Sequence, residues 1–304
     1  MNYGVIDVGS NTIRLLVCRC TVDAAGKYVL EQLFSGKETA GLAGYVENRS
    51  LSRKGIEKAC SVLLGFGRTL KNLGIENVSV FATASLRNVS NTQEAVDIIQ
   101  AETGFSVEVL SGEEEARLDF VGASYQMPMD SGVMVDIGGG STEIVQFQDK
   151  RILKAASLPF GSLSMFRKYV SELLPTAAEY SKMKCCVQEE LKSLPVIAGI
   201  AGTGAICGIG GSIRACARMM EDSLQDGAFP IGKADIILEN LSNSKKQILN
   251  AVLRSVPERV HTVIPGMVIL QSAADYFGCS SVWVSSWGVR EGYLLDRVLP
   301  GQKA

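Results

Sequence analysis

Two loops in this chain repeat one pattern, and that repetition narrows the folds open to 304 residues. The run Tyr3–Asp7 leads into Asp7-Val8-Gly9-Ser10-Asn11, and the run Val133–Asp136 leads into Asp136-Ile137-Gly138-Gly139-Gly140-Ser141. Each is an apolar strand pattern, an acidic residue and a turn of glycines or small polar residues. A second alternating strand pattern follows each, Thr12–Arg19 and Thr142–Phe147. The backbone N–H groups of such a hairpin turn can close on phosphate oxygens, and the aspartate at its mouth can hold a divalent cation. Two copies predict two similar halves with a phosphate-binding cleft between them.

The length suits two domains, each large enough for its own core. With 46% hydrophobic and 20% charged residues the composition is that of an ordinary soluble protein. A net charge of −2 gives no global pull toward nucleic acid or an anionic membrane, so neither is expected as a partner. A polyanionic ligand would need local cations or a metal ion. The eight cysteines include no C-x-x-C pair and the start is not signal-like, which reads as reduced thiols of a cytoplasmic protein. The single histidine, His261, excludes a multi-histidine metal site and reads as a packing or surface residue. The uncharged stretch Ser193–Ile213 contains Pro195 and many glycines, fitting a buried strand and loop better than a membrane helix.

Along the chain, strands are expected at Tyr3–Asp7, Ile13–Cys20 and Tyr28–Ser35, then a helix over Leu51–Leu73 capped by Ser52. A strand at Val78–Ala82, a helix at Asn91–Glu102, a strand at Ser106–Leu110 and a helix at Glu113–Ser124 complete the first half. The second half restarts with strands at Val133–Asp136, Glu143–Phe147 and Ile152–Ala156, then helices and a strand at 196–200. More helices, a strand at Ser281–Val284 and a closing helix near Val289–Val298 follow. Turn formers at 126–132 place the boundary, giving domains 1–125 and 126–304, with the final helix 289–299 packing back on the first. The fold class is α/β, a pair of similar domains.

Several phosphate chemistries fail on spacing. No G-x-x-x-x-G-K-[ST] is present, so there is no P-loop. Cys207 and Arg214 are separated by six residues where a cysteine-phosphatase cradle has five, and nothing near Cys207 would activate a thiolate. Gly202-Thr203-Gly204 lacks the third glycine of a dinucleotide fingerprint, where Cys207 stands. In Ser111-Gly112-Glu113-Glu114-Glu115 a helix starts with three carboxylates. Dipole complementarity, worth about 0.3–1 kcal/mol each, accounts for one or two of them. Glu115 and Asp119 share a helix face, so at least one carboxylate points at the core or the cleft, where it can serve as a general base. Arg87, in Ala82-Thr83-Ala84-Ser85-Leu86-Arg87, leaves a strand end with hydroxyls beside it and fits either a phosphate contact or an ordinary turn. Gly210-Gly211-Ser212-Ile213-Arg214 and Gly288-Val289-Arg290-Glu291-Gly292 carry the same two readings.

Taken together these residues resemble the exopolyphosphatase / guanosine-pentaphosphate phosphohydrolase (Ppx/GppA) family. DVGSNTIRLLV at 7–17, ATASLRNVSN at 82–91, LSGEEEARLDFVGA at 110–123 and DIGGGSTEIV at 136–145 stand in the family's order. LPFGSLSMF at 158–166, GIGGSIRACARM at 208–219, ERVHTVIPGMVIL at 258–270 and GVREGYLLD at 288–296 continue it. The resemblance implies two ribonuclease-H-like domains of the actin, sugar-kinase and Hsp70 (ASKHA) type around a central cleft. It implies metal-assisted attack of water on the terminal phosphate of inorganic polyphosphate or guanosine pentaphosphate, with Mg2+ as cofactor and Mn2+ as the alternative.

By motif, Glu115 is the expected base, and Asp136, Glu143 and Asp7 are the expected metal ligands. Ser10, Asn11, Thr12, Arg87, Gly138, Gly139, Gly140 and Ser141 are the expected phosphate contacts. Related proteins often pair, so a homodimer is expected. Many members carry a C-terminal His-Asp hydrolase-like domain, and a basic residue at the position of Gly41; this sequence has neither, which shifts the expectation toward short-chain polyphosphate or the nucleotide. As a first-turn carboxylate, Glu115 is expected to contribute little to folding. The rival readings are an ATP-dependent phosphotransferase of the same fold and a polyphosphate or alarmone sensor without turnover.

Overall fold

The computed structural model describes residues 1–197, 200, 204–221, 224, 226–241 and 243–300. By contacts the chain forms two compact units: Met1–Glu115 with the segment from Arg290 on, and Ala116–Val289.

The first unit opens with β1 (Asn2–Val8), β2 (Thr12–Val22) and β3 (Tyr28–Thr39), an antiparallel meander. After a 3-10 turn at Leu42–Tyr45 come the short ribbon β4 (Val46–Glu47) and β5 (Ser50–Leu51), then α1 (Arg53–Asn72). Ser52 caps α1, its hydroxyl accepting from Gly55 N–H, a bond worth about 1 kcal/mol. Ile56, Ala59, Cys60, Leu63, Phe66 and Leu70 recur three or four apart and are buried on one face of the helix. They pack on Ile13, Leu15 and Val17, which alternate along β2.

β6 (Val78–Ala82), the single-turn α2 (Ala84–Arg87), α3 (Thr92–Thr103) and β7 (Val107–Val109) follow. Strand order is β3-β2-β1-β6-β7, with β1, β6 and β7 parallel. That order and sense match the expected ribonuclease-H-like sheet. α4 (Gly112–Ser124) comes next, and the division between the units falls inside it.

The second unit repeats the meander as β8 (Gly132–Ile137), β9 (Thr142–Gln148) and β10 (Arg151–Leu158). α5 (Ser162–Tyr169) and α6 (Ala177–Leu191) lead to β11 (Ala205–Ile209) and α7 (Gly210–Met219). β12 (Ala228–Pro230), α8 (Gly232–Glu239), α9 (Lys245–Ser255), α10 (Val263–Phe277) and β13 (Ser281–Val284) complete it. The sheet runs β10-β9-β8-β11-β13-β12, parallel across β8, β11 and β13.

α10 is apolar nearly all round, and most of it lies in the larger core with α6, α7 and one face of the sheet. Phe120, Met134, Val145, Phe147 and Cys207 fill the other face. No helix among the described residues is long and apolar enough to cross a membrane.

The strand expected at 196–200 needs correction. Residues 198 and 199 lie outside the described residues, as do Gly202 and Thr203, while Val196, Ile197 and Ile200 are not in a strand. The strand is β11, five to nine residues later, where the apolar run Ile206–Ile209 gains a parallel partner on each side. Both stretches are apolar, and only ladder pairing separates them. The chain returns to the first unit through α11 (Val289–Tyr293), which continues as a π-helix over Leu294–Val298.

Candidate active site

The two loops are alike in backbone as well as in sequence. Gly9 N–H donates to Thr12 C=O at 3.2 Å, and Gly138 N–H donates to Ser141 C=O at 3.1 Å. A Cβ at Gly9 would stand 2.8 Å from the Thr12 carbonyl, which is why the turn starts with glycine. Beneath the turns Val8 faces Ile13 and Ile137 faces Thr142; one step further Asp7 faces Arg14 and Asp136 faces Glu143. The first hairpin therefore sets a cation opposite its aspartate, and the second sets another carboxylate there. Like charges directly opposite on a ladder are unfavourable unless something between them compensates.

Glu143 is 1% exposed, and its Oε1 accepts from the Ser157 hydroxyl at 2.8 Å. The backbone of Gly210, at the start of α7, closes over Asp136: a Cβ there would lie 2.2 Å from Oδ1. Hard oxygen donors of this kind fit Mg2+ or Mn2+. Among the described residues no group of three or more His, Cys, Asp or Glu side chains is placed to hold a metal. That is compatible with Mg2+, which commonly takes one or two carboxylates and completes its shell with water and substrate phosphate.

The glycine loop is tied down by its carbonyls. Gly138 C=O accepts from Ser162 N–H at 2.9 Å and from the Ser162 hydroxyl at 3.0 Å, while Gly139 C=O accepts from the N–H groups of Leu163 and Ser164. Ser212 on α7 donates in turn to the Ser162 hydroxyl at 2.9 Å. Gly161 fits against this loop with no room for a side chain, since its Cβ would sit 2.5 Å from Gly138 C=O and 2.8 Å from Gly140 N. With the carbonyls held from behind, the N–H groups of Gly139 and Gly140 donate to no protein acceptor among the described residues. Such a nest suits an anion.

The first loop is held in a corresponding way. Asn11 C=O accepts from Ala40 and Gly41, and Ser10 C=O accepts from Ala43. Ser10 and Thr12 are buried. Gly41 adopts φ 62°, a left-handed conformation that favours glycine. Ser85, just past β6, donates its hydroxyl to Val8 C=O and fixes the loop from the side.

The three carboxylates in the first turn of α4 divide their tasks. Glu113 is exposed. Glu114 forms a reciprocal cap with Ser111, accepting from Ser111 N–H at 2.9 Å while its own N–H reaches the Ser111 hydroxyl at 3.2 Å. Glu115 is 8% exposed, and its Oε2 accepts from Arg87 Nη1 at 2.6 Å. Arg87 also donates to Leu110 C=O at 3.2 Å. Arg87, expected as a phosphate contact, is thus in contact with the expected base. The expectation that Glu115 matters little to folding is corrected: it is half of a largely buried ion pair, and losing one partner of such a pair leaves the other charge stranded. Asp119, four residues on, is fully buried.

Cys207 is wholly buried, and that burial pushes its thiol well above the usual range, with the Asp119 and Asp136 carboxylates adding to the shift. Burial therefore works against a thiolate nucleophile at this position. Replacing Cys207 with Ala is expected to leave turnover within about twofold while costing about 1 kcal/mol of stability from the lost packing. A loss of turnover beyond about 10³-fold in a folded variant would return the cysteine to the chemistry. His261 is exposed and stands edge-on to Phe166, a surface packing residue.

Gly161, Ser162, Ser212 and Gly210 were not singled out individually by sequence reasoning. The segments 158–166 and 208–219 flagged their neighbourhoods, but no local signal says that either one backs the glycine loop.

A family model described as the Ppx/GppA phosphatase family matches residues 21–300. Exopolyphosphatase 1 of Mycobacterium tuberculosis (strain ATCC 25618 / H37Rv) is 25% identical over 98% of this chain and 88% of its own length. The crystal structure of the Aquifex aeolicus Ppx/GppA family member has a TM-score of 0.76 and 26% identity, covering 100% of this chain and 99% of that one. A Cytophaga hutchinsonii exopolyphosphatase structure superposes with a TM-score of 0.80 at 21% identity, covering 97% and 98%, a likeness of fold. The fold is that of the actin, sugar-kinase and Hsp70 type, built on two ribonuclease-H-like sheets.

Proposed function

The chain belongs to the Ppx/GppA phosphatase family, and from that premise we propose that it releases the terminal phosphate of inorganic polyphosphate, short chains foremost, or of guanosine pentaphosphate. The observation that carries the reading is the glycine loop, whose carbonyls are anchored by Ser162, Leu163 and Ser164 while the Gly139 and Gly140 N–H groups stay available to phosphate oxygens. Relatives named as exopolyphosphatases support polyphosphate as the substrate class.

In this reading a water oxygen attacks the terminal phosphorus. The P–O anhydride bond breaks, its electron pair leaves with the departing phosphate oxygen, and the water proton passes to Glu115. Arg87 orients the Glu115 carboxylate. The Gly139 and Gly140 N–H groups hold phosphate oxygens as charge shifts onto them. Asp136 and Glu143, facing each other on the ladder, would hold Mg2+ or Mn2+, which would supply positive charge to neutralise the phosphate oxygens.

The test measures phosphate release from short and long polyphosphate, guanosine pentaphosphate and ATP in parallel, with Mg2+ and with chelator. Release from one of the first three, lost on chelation and restored by added Mg2+, is the expected result. Chelator-resistant release would remove the metal from the mechanism. Binding without release would turn the reading to a sensor, and turnover of ATP alone to a phosphotransferase.

A further inference from the structure

The first turn of α4 is secured by two arginines, and only one of them touches Glu115. Arg297 Nη2 donates to Glu114 Oε1 at 2.5 Å, and Arg297 Nη1 pairs with Glu108 on β7. Tyr293 OH donates to the other Glu108 oxygen, Oε2, at 2.6 Å. The Tyr293 ring stacks on Phe81 of β6 with centroids 4.9 Å apart, and the Arg297 guanidinium lies 5.9 Å from the Tyr293 ring centre. Beyond Arg297, Tyr28 OH donates to Leu299 C=O at 3.1 Å, which holds the end of the segment on the first unit. Arg297 stands on the π-helix Leu294–Val298, a winding uncommon enough to need a reason and often found where function constrains the backbone.

We propose that Arg297 and Tyr293 are positioning residues for the base: they pin Glu108 and Glu114 so that the first turn of α4 presents Glu115 in one fixed place. This rests on the reading of Glu115 as the base. Glu114 uses one carboxylate oxygen on Ser111 N–H and the other on Arg297, so both ends of its side chain are fixed. Glu115 follows directly on the same turn and takes its backbone position from that anchorage, while Arg87 sets its side chain. Without Arg297, Glu108 and Glu114 lose the cation they share, and the turn keeps its Ser111 capping bonds and the Arg87 contact to Glu115. Placement errors of about 1 Å at a reacting group cost as much as about 10²-fold, so a smaller shift of this turn is visible in turnover.

The experiment compares kcat, KM and thermal melting for Arg297→Met, Arg297→Lys, Tyr293→Phe, Glu115→Gln and the double variant Arg297→Met/Glu115→Gln, with polyphosphate as substrate. Arg297→Met is expected to lower kcat about 10-fold with KM within about twofold, and Arg297→Lys to recover most of that loss. Tyr293→Phe keeps the ring on Phe81 and removes one hydroxyl, so about a threefold loss is expected; it carries the comparison if Arg297→Met does not fold. In the Glu115→Gln background, Arg297→Met is expected to change the residual rate by less than about twofold, because the group it positions is gone. Native kcat in folded Arg297→Met, or the same fold loss in both backgrounds, would overturn the positioning role and leave the base in place. Near-native turnover of Glu115→Gln would instead remove the base, and this assignment with it.

Discussion

Glu115→Gln is expected to lower turnover by about 10²–10⁴-fold with little change in KM, the loss that follows when a general base is replaced by a group unable to take a proton. The variant keeps the shape of the side chain and an oxygen facing Arg87 Nη1, so the 2.6 Å contact survives in neutral form. It also leaves the Arg87 guanidinium facing an uncharged amide in place of a carboxylate, beside Leu110 C=O. Both side chains of the pair are largely buried, at 17% and 11% exposure, so a cost of about 1–3 kcal/mol is expected in the melt. Activity therefore has to be read on protein shown to be folded at the assay temperature. The assay is phosphate release under saturating polyphosphate alongside a melting curve. Turnover within about threefold of the parent, in folded protein, would exclude Glu115 as the base.

Gly210→Ala carries the second large effect and acts through Asp136. Gly210 sits at φ 92°, where a side chain is strained by about 1–3 kcal/mol, and its Cβ would enter the Asp136 carboxylate at 2.2 Å and meet Ile137 C=O at 3.0 Å. Either α7 or the aspartate has to move. Because Asp136 directly faces Glu143 on the ladder, its displacement opens the carboxylate pair. A fall in activity of about 10²-fold is expected, together with a need for more Mg2+ to reach half-maximal rate. Gly104→Ala provides the control. Gly104 has φ 77° with nothing within 4 Å of its Cβ, so it bears the strain without a collision. Equal losses of activity in the two variants would mean that strain alone, and not Asp136, accounts for the effect.

Much of the fold was legible because its causes are local. The near-continuous apolar runs of β1 and β8 and the 3.6-residue spacing of α1 follow from which side chains each element buries. Ser52 reads as a cap because a hydroxyl beside free N–H groups at a helix start has an obvious partner. Both loops were recognisable for the same reason: a turn that brings Gly9 N–H onto Thr12 C=O leaves almost no choice of residue at its first position. Glu115 was legible as a candidate, but its burial and its partner were not.

The sequence by itself therefore determined the element types, the repeated hairpins and the list of candidate carboxylates, since each depends on neighbours within a few residues. Tertiary structure alone decided which apolar run became the central strand β11, because ladder partners at β8 and β13 chose between two runs alike in composition. It decided that Arg87 holds Glu115, that Gly161 and Ser162 back the glycine loop, and that Gly210 closes over Asp136. It also brought Arg297 onto Glu114 across 183 residues of chain. Contacts of that span leave no periodic trace in the sequence: a side chain's local pattern records whether it is buried, and only the folded chain supplies the atom it is buried against.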